Sequence, residues 1–312
     1  MKPFAFVFPG QGSQSAGMLD AWGDHPAVRR TLEEASAALS EDIGRLIREG
    51  PKEALDLTTN TQPVMLTAGI ACLAAWRAEG GPEPAAVAGH SLGEYSALVA
   101  AGVLKLADAL PLVRYRAQAM QEAVPVGAGA MAAILGLDAE VVQRICAEVA
   151  AATGGVVSPA NFNDPKQTVI AGAKASVDAA CEKLKAAGAK RALPLPVSAP
   201  FHCALMKPAA ERLRERLAGV TLSAARIPVV NNIDVAVQGD AAAIRDALYR
   251  QAFGPVRWVE VVQALGMRGV AHVFECGPGK VLAGLVKRID GALATGTVLD
   301  PASLTELKGA LQ

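Results

Sequence analysis

The period of the apolar positions changes several times along the chain, and each change marks an element. Phe4-Ala-Phe-Val-Phe8 is a continuous apolar run of strand length, followed at once by Pro9-Gly-Gln-Gly-Ser-Gln14, which predicts a buried strand and a loop. Helical periodicity then covers Pro26 to Leu39, Ile43 to Glu49 and Gln62 to Glu79. Ala85-Ala-Val-Ala88, bounded by Gly81-Pro82 and Pro84, predicts a second buried strand. Leu92 to Ala101 is rich in Ala and Leu and stops at Gly102, as a helix does. Another helical stretch runs from Ala107 to Glu122, and Val124-Pro-Val-Gly-Ala-Gly129 ends it.

Beyond Gly129 the elements become shorter and alternate. Strands are expected over Met131 to Gly136, Val156 to Phe162, Gln167 to Gly172 and Arg191 to Leu195, with helices over Asp138 to Ala150 and Ala175 to Ala187. Asn163-Asp-Pro165 reads as the turn between the middle strands, and Pro194-Leu-Pro196 closes the unit. This β-α-β-β-α-β order is the split, ferredoxin-like motif. Strand and helix patterns then resume, with helices over Lys207 to Leu217, Ala241 to Ala252 and Val256 to Met267, and strands over Ile227 to Val230 and His272 to Phe274. The expected plan is an α/β fold: a large domain from residues 1–126 and 198–312, interrupted by a ferredoxin-like α+β subdomain at 127–197.

Composition narrows the class. The chain has 312 residues, 52% hydrophobic but only 4% aromatic, so its core is expected to be mostly Ala, Val and Leu. Lys plus Arg and Asp plus Glu each total 30, which argues against nucleic-acid binding through bulk positive charge. The apolar run after Met1 is too short for a signal peptide, and Met65 to Trp76 is too short to span a bilayer. The five cysteines lie far apart with no C-x-x-C, which suggests neither zinc nor disulfides. A cytoplasmic protein that binds no membrane is the expectation.

The chemistry concentrates at Gly89-His-Ser-Leu-Gly93, a G-x-S-x-G pattern between an expected strand and an expected helix. That context is a nucleophile elbow: a tight turn presents the serine at a helix N-terminus, where free N–H groups can stabilise an oxyanion. Gly10-x-Gly12-x-x-Ser15 only nearly matches a dinucleotide fingerprint, and a loop whose backbone faces a ligand fits better. Phe274 and Val281 disqualify the segment around Gly277-Pro-Gly279-Lys280 as a P-loop. Of the four histidines, His90 adjoins the serine on a sharp turn and is expected to pack beneath it, while His25 before Pro26 suits a helix cap. His202, between the small subdomain and the returning chain, is the leading base for Ser91. His272 is the runner-up, with Asp234 or Asp240 to orient it in the Ser…Asp…His order of α/β-hydrolases.

Several stretches together resemble the bacterial malonyl-CoA:acyl carrier protein transacylase family over essentially the full length. They are Phe8 to Gln14, Gly89 to Tyr95, Arg116 before Met120 to Pro125, Ala160 to Asn163, Phe201-His202, Gln251 before Pro255 to Trp258, and Gly277 to Gly279. The resemblance implies an α/β-hydrolase-like large domain, acylation of Ser91, and His202 as its base, oriented by a backbone carbonyl near Gln251. It implies an oxyanion hole from the N–H groups of Gln11 and Leu92, and Arg116 as the group that holds a malonyl carboxylate. Phe201 fits the pattern associated with malonyl rather than methylmalonyl selection, and Asn161 lies in the motif expected to contact substrate. Malonyl-CoA and the phosphopantetheine arm of an acyl carrier protein would be the substrates of a ping-pong transfer in fatty acid synthesis, with no metal or prosthetic cofactor. Lys190 and Arg191, with Lys207, Lys280, Lys287 and Arg288, could supply a basic rim for the carrier. A monomer is expected.

Overall fold

The computed structural model describes residues 2–311. Among them nine strands, β1 (Phe4–Phe8), β2 (Ala86–Gly89), β3 (Gly129–Leu135), β4 (Val157–Asp164), β5 (Gln167–Ala173), β6 (Arg191–Pro194), β7 (Val229–Val230), β8 (His272–Cys276) and β9 (Ala294–Val298), divide between two sheets. One is parallel, in the order β7-β2-β1-β8-β9; the other is antiparallel, in the order β4-β5-β3-β6.

The parallel sheet is buried on both faces, which explains why β1 reads as an unbroken apolar run. Phe4, Phe6 and Phe8 alternate to one side, where Trp76 meets Phe6 edge to face at 5.2 Å. Ala5 and Val7 point to the other side, among Ala86, Ala88, Val262 and Leu265. In register, Phe8 stands beside Gly89 and Phe4 beside His272. The loops after β1, β2 and β8 therefore leave the sheet at one edge, the edge where open parallel sheets place their ligands.

The antiparallel sheet carries its two helices, Ala139–Thr153 and Lys174–Ala186, over a core of its own built on Ile134, Ile145, Val149, Ile170 and Leu184. Its strand order is that of the split β-α-β-β-α-β motif. β4 also touches the other unit directly: the Val256 N–H donates to the Ala160 carbonyl and the Phe162 N–H to the Val256 carbonyl, each at 2.9 Å.

Some boundaries differ from the sequence expectation for identifiable reasons. β4 continues through Asn163 and Asp164, so the turn is Pro165-Lys166, closed by the Lys166 N–H donating to Asp164 Oδ1 at 2.8 Å. β7 is shorter than Ile227 to Val230 because Pro228 has no N–H, although its carbonyl accepts from Val87 at 2.9 Å. The helix expected from Gln62 begins at Thr58, and Thr61 Oγ1 donates to the carbonyls of Leu55 and Leu57 beneath its first turn. No helix among the described residues is long and apolar enough to cross a membrane.

Candidate active site

Ser91 follows β2 by two residues and precedes the helix Gly93–Ala100. Its φ is 52°, in the left-handed region that ordinary residues avoid. The flanking glycines let the turn close. A Cβ on Gly89 would stand 1.9 Å from the Gly93 carbonyl carbon, and one on Gly93 would stand 2.0 Å from the Phe8 carbonyl oxygen. Asn232, fully buried, ties the elbow down by accepting from the Ser91 N–H at 2.7 Å and donating to the Gly89 carbonyl at 2.7 Å.

His202 reaches this serine from the segment that returns from β6, and its own φ is 60°. Its Nε2 lies 2.6 Å from Ser91 Oγ, while its Nδ1 faces the carbonyls of Gln251 at 2.9 Å and Gly254 at 3.2 Å. Carbonyl oxygens only accept, so Nδ1 carries the proton and the Nε2 lone pair is free to take the serine proton. Burial, with Arg116 nearby, lowers the imidazole to about 3, so it stays neutral at ordinary pH. The backbone oxygen of Gln251 thus stands where a carboxylate orients the base of many serine enzymes.

Arg116 is buried on the helix Leu106–Glu122, yet none of its hydrogen-bond partners is a carboxylate. Nη1 donates to Gln62 Oε1 at 2.9 Å; Nη2 donates to Gln251 Oε1 at 3.1 Å and to Ser91 Oγ at 3.3 Å. The guanidinium lies over the Tyr95 ring at 5.5 Å, and its Nε has no partner among the described residues. A buried cation with a donor to spare beside a serine hydroxyl can pair with an anion.

Ser91, His202 and Arg116 border a cavity of about 140 Å³ with Gln11, His90, Met131, Asn161, Leu195, Val197 and Phe201. The parallel sheet supplies its floor through the loops after β1 and β2; the antiparallel sheet supplies Met131 and Asn161. Neither the Gln11 nor the Leu92 N–H has an acceptor among the described residues. Gln11 lines the cavity, and Leu92 directly follows Ser91 at the start of the helix.

The structure therefore gathers Ser91, His202, Arg116, Gln251, Gln11, Leu92, Asn161 and Phe201 at one place. Lys190 and Arg191 are not part of it. They are exposed at the start of β6, about 13 Å along the strand from Leu195 at the cavity. Arg288, expected on a basic rim, is engaged by Asp164 at 2.7 Å. His272 sits at the opposite edge of the parallel sheet, about a strand length from Ser91. Its expected orienters are occupied elsewhere: Asp234 accepts from Arg250 at 2.6 and 2.8 Å, and Asp240 caps a helix at Ala243. That geometry overturns the runner-up base. His90 lines the cavity rather than packing beneath the turn, with Nε2 at 2.8 Å from Asn163 Oδ1 and its ring edge-on to Trp258.

Four further residues belong to the site: Gln62 and Asn232 lie outside every motif read in the sequence, while Glu94 and Tyr95 end the Gly89 to Tyr95 stretch without a role assigned there. Glu94 Oε2 accepts from the Asn232 N–H at 2.8 Å and from Gln251 Nε2 at 3.1 Å. Gln62 holds Arg116, and Tyr95 lies beneath it. Asn232, in a loop far along the chain, shows its role only through its contacts with Gly89 and Ser91.

Residues 5–284 match the family model described as "Acyl transferase domain". The chain is 56% identical to the malonyl CoA-acyl carrier protein transacylase of Salmonella typhimurium, over 98% of each chain. A crystal structure of the acyl-carrier-protein S-malonyltransferase of Burkholderia pseudomallei is 66% identical, with a TM-score of 0.97 over 99% of this chain and 100% of the other. A malonyl-transacylase solved in complex with its type II PKS acyl-carrier protein is 51% identical, with a TM-score of 0.97 over 99% of this chain and 100% of that one. On both sequence and structure the chain belongs to the acyl transferase family, among the malonyl CoA-acyl carrier protein transacylases.

Proposed function

We propose that the protein transfers a malonyl group from malonyl-CoA to the phosphopantetheine thiol of an acyl carrier protein, for fatty acid synthesis, through a malonyl ester on Ser91. The observation that carries this reading is Ser91 Oγ held between His202 Nε2 at 2.6 Å and Arg116 Nη2 at 3.3 Å on the cavity wall. The hydroxyl proton moves to Nε2 as Oγ attacks the thioester carbonyl, and the charge on that oxygen falls to the N–H groups of Gln11 and Leu92. Collapse of the tetrahedral adduct expels the CoA thiolate, which recovers the proton from His202. The carrier thiol then reverses the sequence, and a covalent ester lets two large carriers use one small site in turn.

Arg116 supplies the selection. A free carboxylate two carbons from the reacting carbonyl can pair with a guanidinium whose hydrogen-bond partners are all neutral. Phe201 and Met131 give the acyl group an apolar wall, and Asn161 a polar contact for the amide of the pantetheine arm. Lys190 and Arg191, out along β6, are suited to the distal phosphates of CoA or the acidic face of a carrier. The chemistry is complete with these groups and calls for no metal or prosthetic cofactor. The parallel sheet that presents Ser91 supports an α/β-hydrolase-like large domain, with residues 127–197 as the inserted subdomain.

The test compares kcat/KM for malonyl-CoA and acetyl-CoA with the same carrier. Hydrogen bonds to a charged group contribute about 1.5–3 kcal/mol, so Arg116→Ala should cost malonyl transfer about one to two orders of magnitude. Acetyl transfer should be unchanged or improved, and Arg116→Lys should fall between, because charge survives without the fork. An equal loss for both donors would assign Arg116 to the nucleophile rather than to the substrate. Carriers from fatty acid and from polyketide synthesis belong in the same assay, since one solved relative holds a polyketide carrier; faster transfer to the latter would reassign the pathway.

A further inference from the structure

Arg116 and Glu94 are buried on either side of one amide. Gln251 Oε1 accepts from Arg116 Nη2 and Gln251 Nε2 donates to Glu94 Oε2, both at 3.1 Å. Above about pH 7 the site thus holds one cation and one anion, coupled through the Gln251 side chain. A substrate carboxylate paired with Arg116 brings a second anion into the same low-dielectric space. The other ionisable groups facing Glu94 offer it no free cation. Tyr95 is its neighbour on the same helix, and Asp234 lies in the loop before the helix Ala241–Phe253, its charge already engaged by Arg250. Two buried carboxylates sharing one guanidinium cannot both stay ionised cheaply.

We propose that Glu94 is the charge-balancing residue of the site, ionised while Arg116 holds no carboxylate and protonated once a substrate carboxylate pairs with Arg116. The inference rests on the functional reading above. Burial already pushes the Glu94 carboxyl up to about 7, against the Asn232 N–H, Gln251 and Arg116, which hold it down. A carboxylate on Arg116 cancels part of that restraint and moves Glu94 further up. His202 does not compete for the proton: it starts at about 3, and regaining its ordinary 6.5 would leave it neutral in mild alkali. Glu94 also borders a cavity of about 20 Å³ with Asn231 and Gln238, room for one water molecule beside polar groups.

The step balances simply. Ser91 gives its proton through His202 to the departing CoA thiolate, and Glu94 takes one further proton from solvent as the malonyl carboxylate settles on Arg116. Acetyl loading releases the same thiol without bringing a carboxylate, so it is the blank. The experiment mixes the whole protein with malonyl-CoA or acetyl-CoA in weakly buffered indicator solution at about pH 8, with the adduct counted by intact-protein mass. Wild type should take up close to one more proton per malonyl adduct than per acetyl adduct. Its malonyl-to-acetyl ratio of kcat/KM should fall by up to about tenfold per pH unit above about 7. In Glu94→Gln, an isostere that cannot titrate, the extra proton and the slope should both vanish.

Equal proton counts for the two donors in wild type would overturn the inference, and so would the same malonyl excess persisting in Glu94→Gln. The wild-type comparison decides even if the variant loads poorly. Failure to form any malonyl adduct would instead overturn the functional reading, and the inference with it.

Discussion

His202 is a neutral acceptor because of what surrounds it, and the proposed activation of Ser91 requires that neutrality. Two carbonyl oxygens fix the proton on Nδ1, and burial beside Arg116 disfavours a second one. His202→Ala should lower transfer by about 10²–10⁴-fold, the usual cost of losing a general base, whereas His272→Ala should leave turnover of the folded protein near normal. Well-folded variants showing the reverse would restore the α/β-hydrolase order. The same burial links His202 to acid stability. Between about 3 and 6.5 the unfolded chain binds a proton that the folded imidazole refuses, so stability present above 6.5 is lost as the pH falls below it. Glu94 and Glu275, both pushed up to about 7, act in the opposite sense over part of that window, so the readout is the difference: wild type should lose urea midpoint relative to His202→Asn as the pH falls from 6.5 towards 3. At this scale the sequence was most legible where a motif limits the choices. Ser91 stands in G-x-S-x-G, and with only four histidines the base narrowed to His202 or His272, the family resemblance pointing to His202. Glu94 and Asn232 were not legible, because a buried carboxylate and an asparagine acquire their roles only from partners more than a hundred residues away.

The elbow holds its shape through contacts between backbones. Gly89 faces Gly93 and Gly93 faces the end of β1, so strand, turn and helix can meet only without side chains there. Gly89→Ala would force the Gly93 turn outward. Overpacking of this kind costs about 1–3 kcal/mol, which should appear as a lower urea midpoint together with loss of Ser91 acylation. Retained acylation at wild-type stability would show that the turn tolerates a Cβ. Elements with strong periodicity were readable, β1 and the split β-α-β-β-α-β unit above all. The tail of the chain was not. β9 is Ala-Thr-Gly-Thr-Val and half exposed at a sheet edge, so it lacks both alternation and a long apolar run. The helix Pro301–Ala310 did carry a start signal, Asp300 before Pro301 with Ser303 three residues on, which closes a capping box.

The whole molecule places its chemistry between two sheets of different construction. The parallel sheet delivers Ser91 and the loops that carry Gln11 and Leu92 at its C-terminal edge; the antiparallel one delivers Asn161 and Met131, and the segment returning from it delivers His202. The sequence revealed both units from the change of period at Gly129, but not the way Val256 pairs with β4 to join them. That joint matters because the cavity exists only while both walls are in place. The central claim is that one serine carries the acyl group between two thiols. Intact-protein mass spectrometry with peptide mapping, after malonyl-CoA and then after a holo acyl carrier protein, tests it most directly. The account predicts one malonyl adduct on Ser91, absent from Ser91→Ala, that disappears as the carrier gains the same mass. An adduct on another residue, or one lost to water at the same rate with and without carrier, would contradict it.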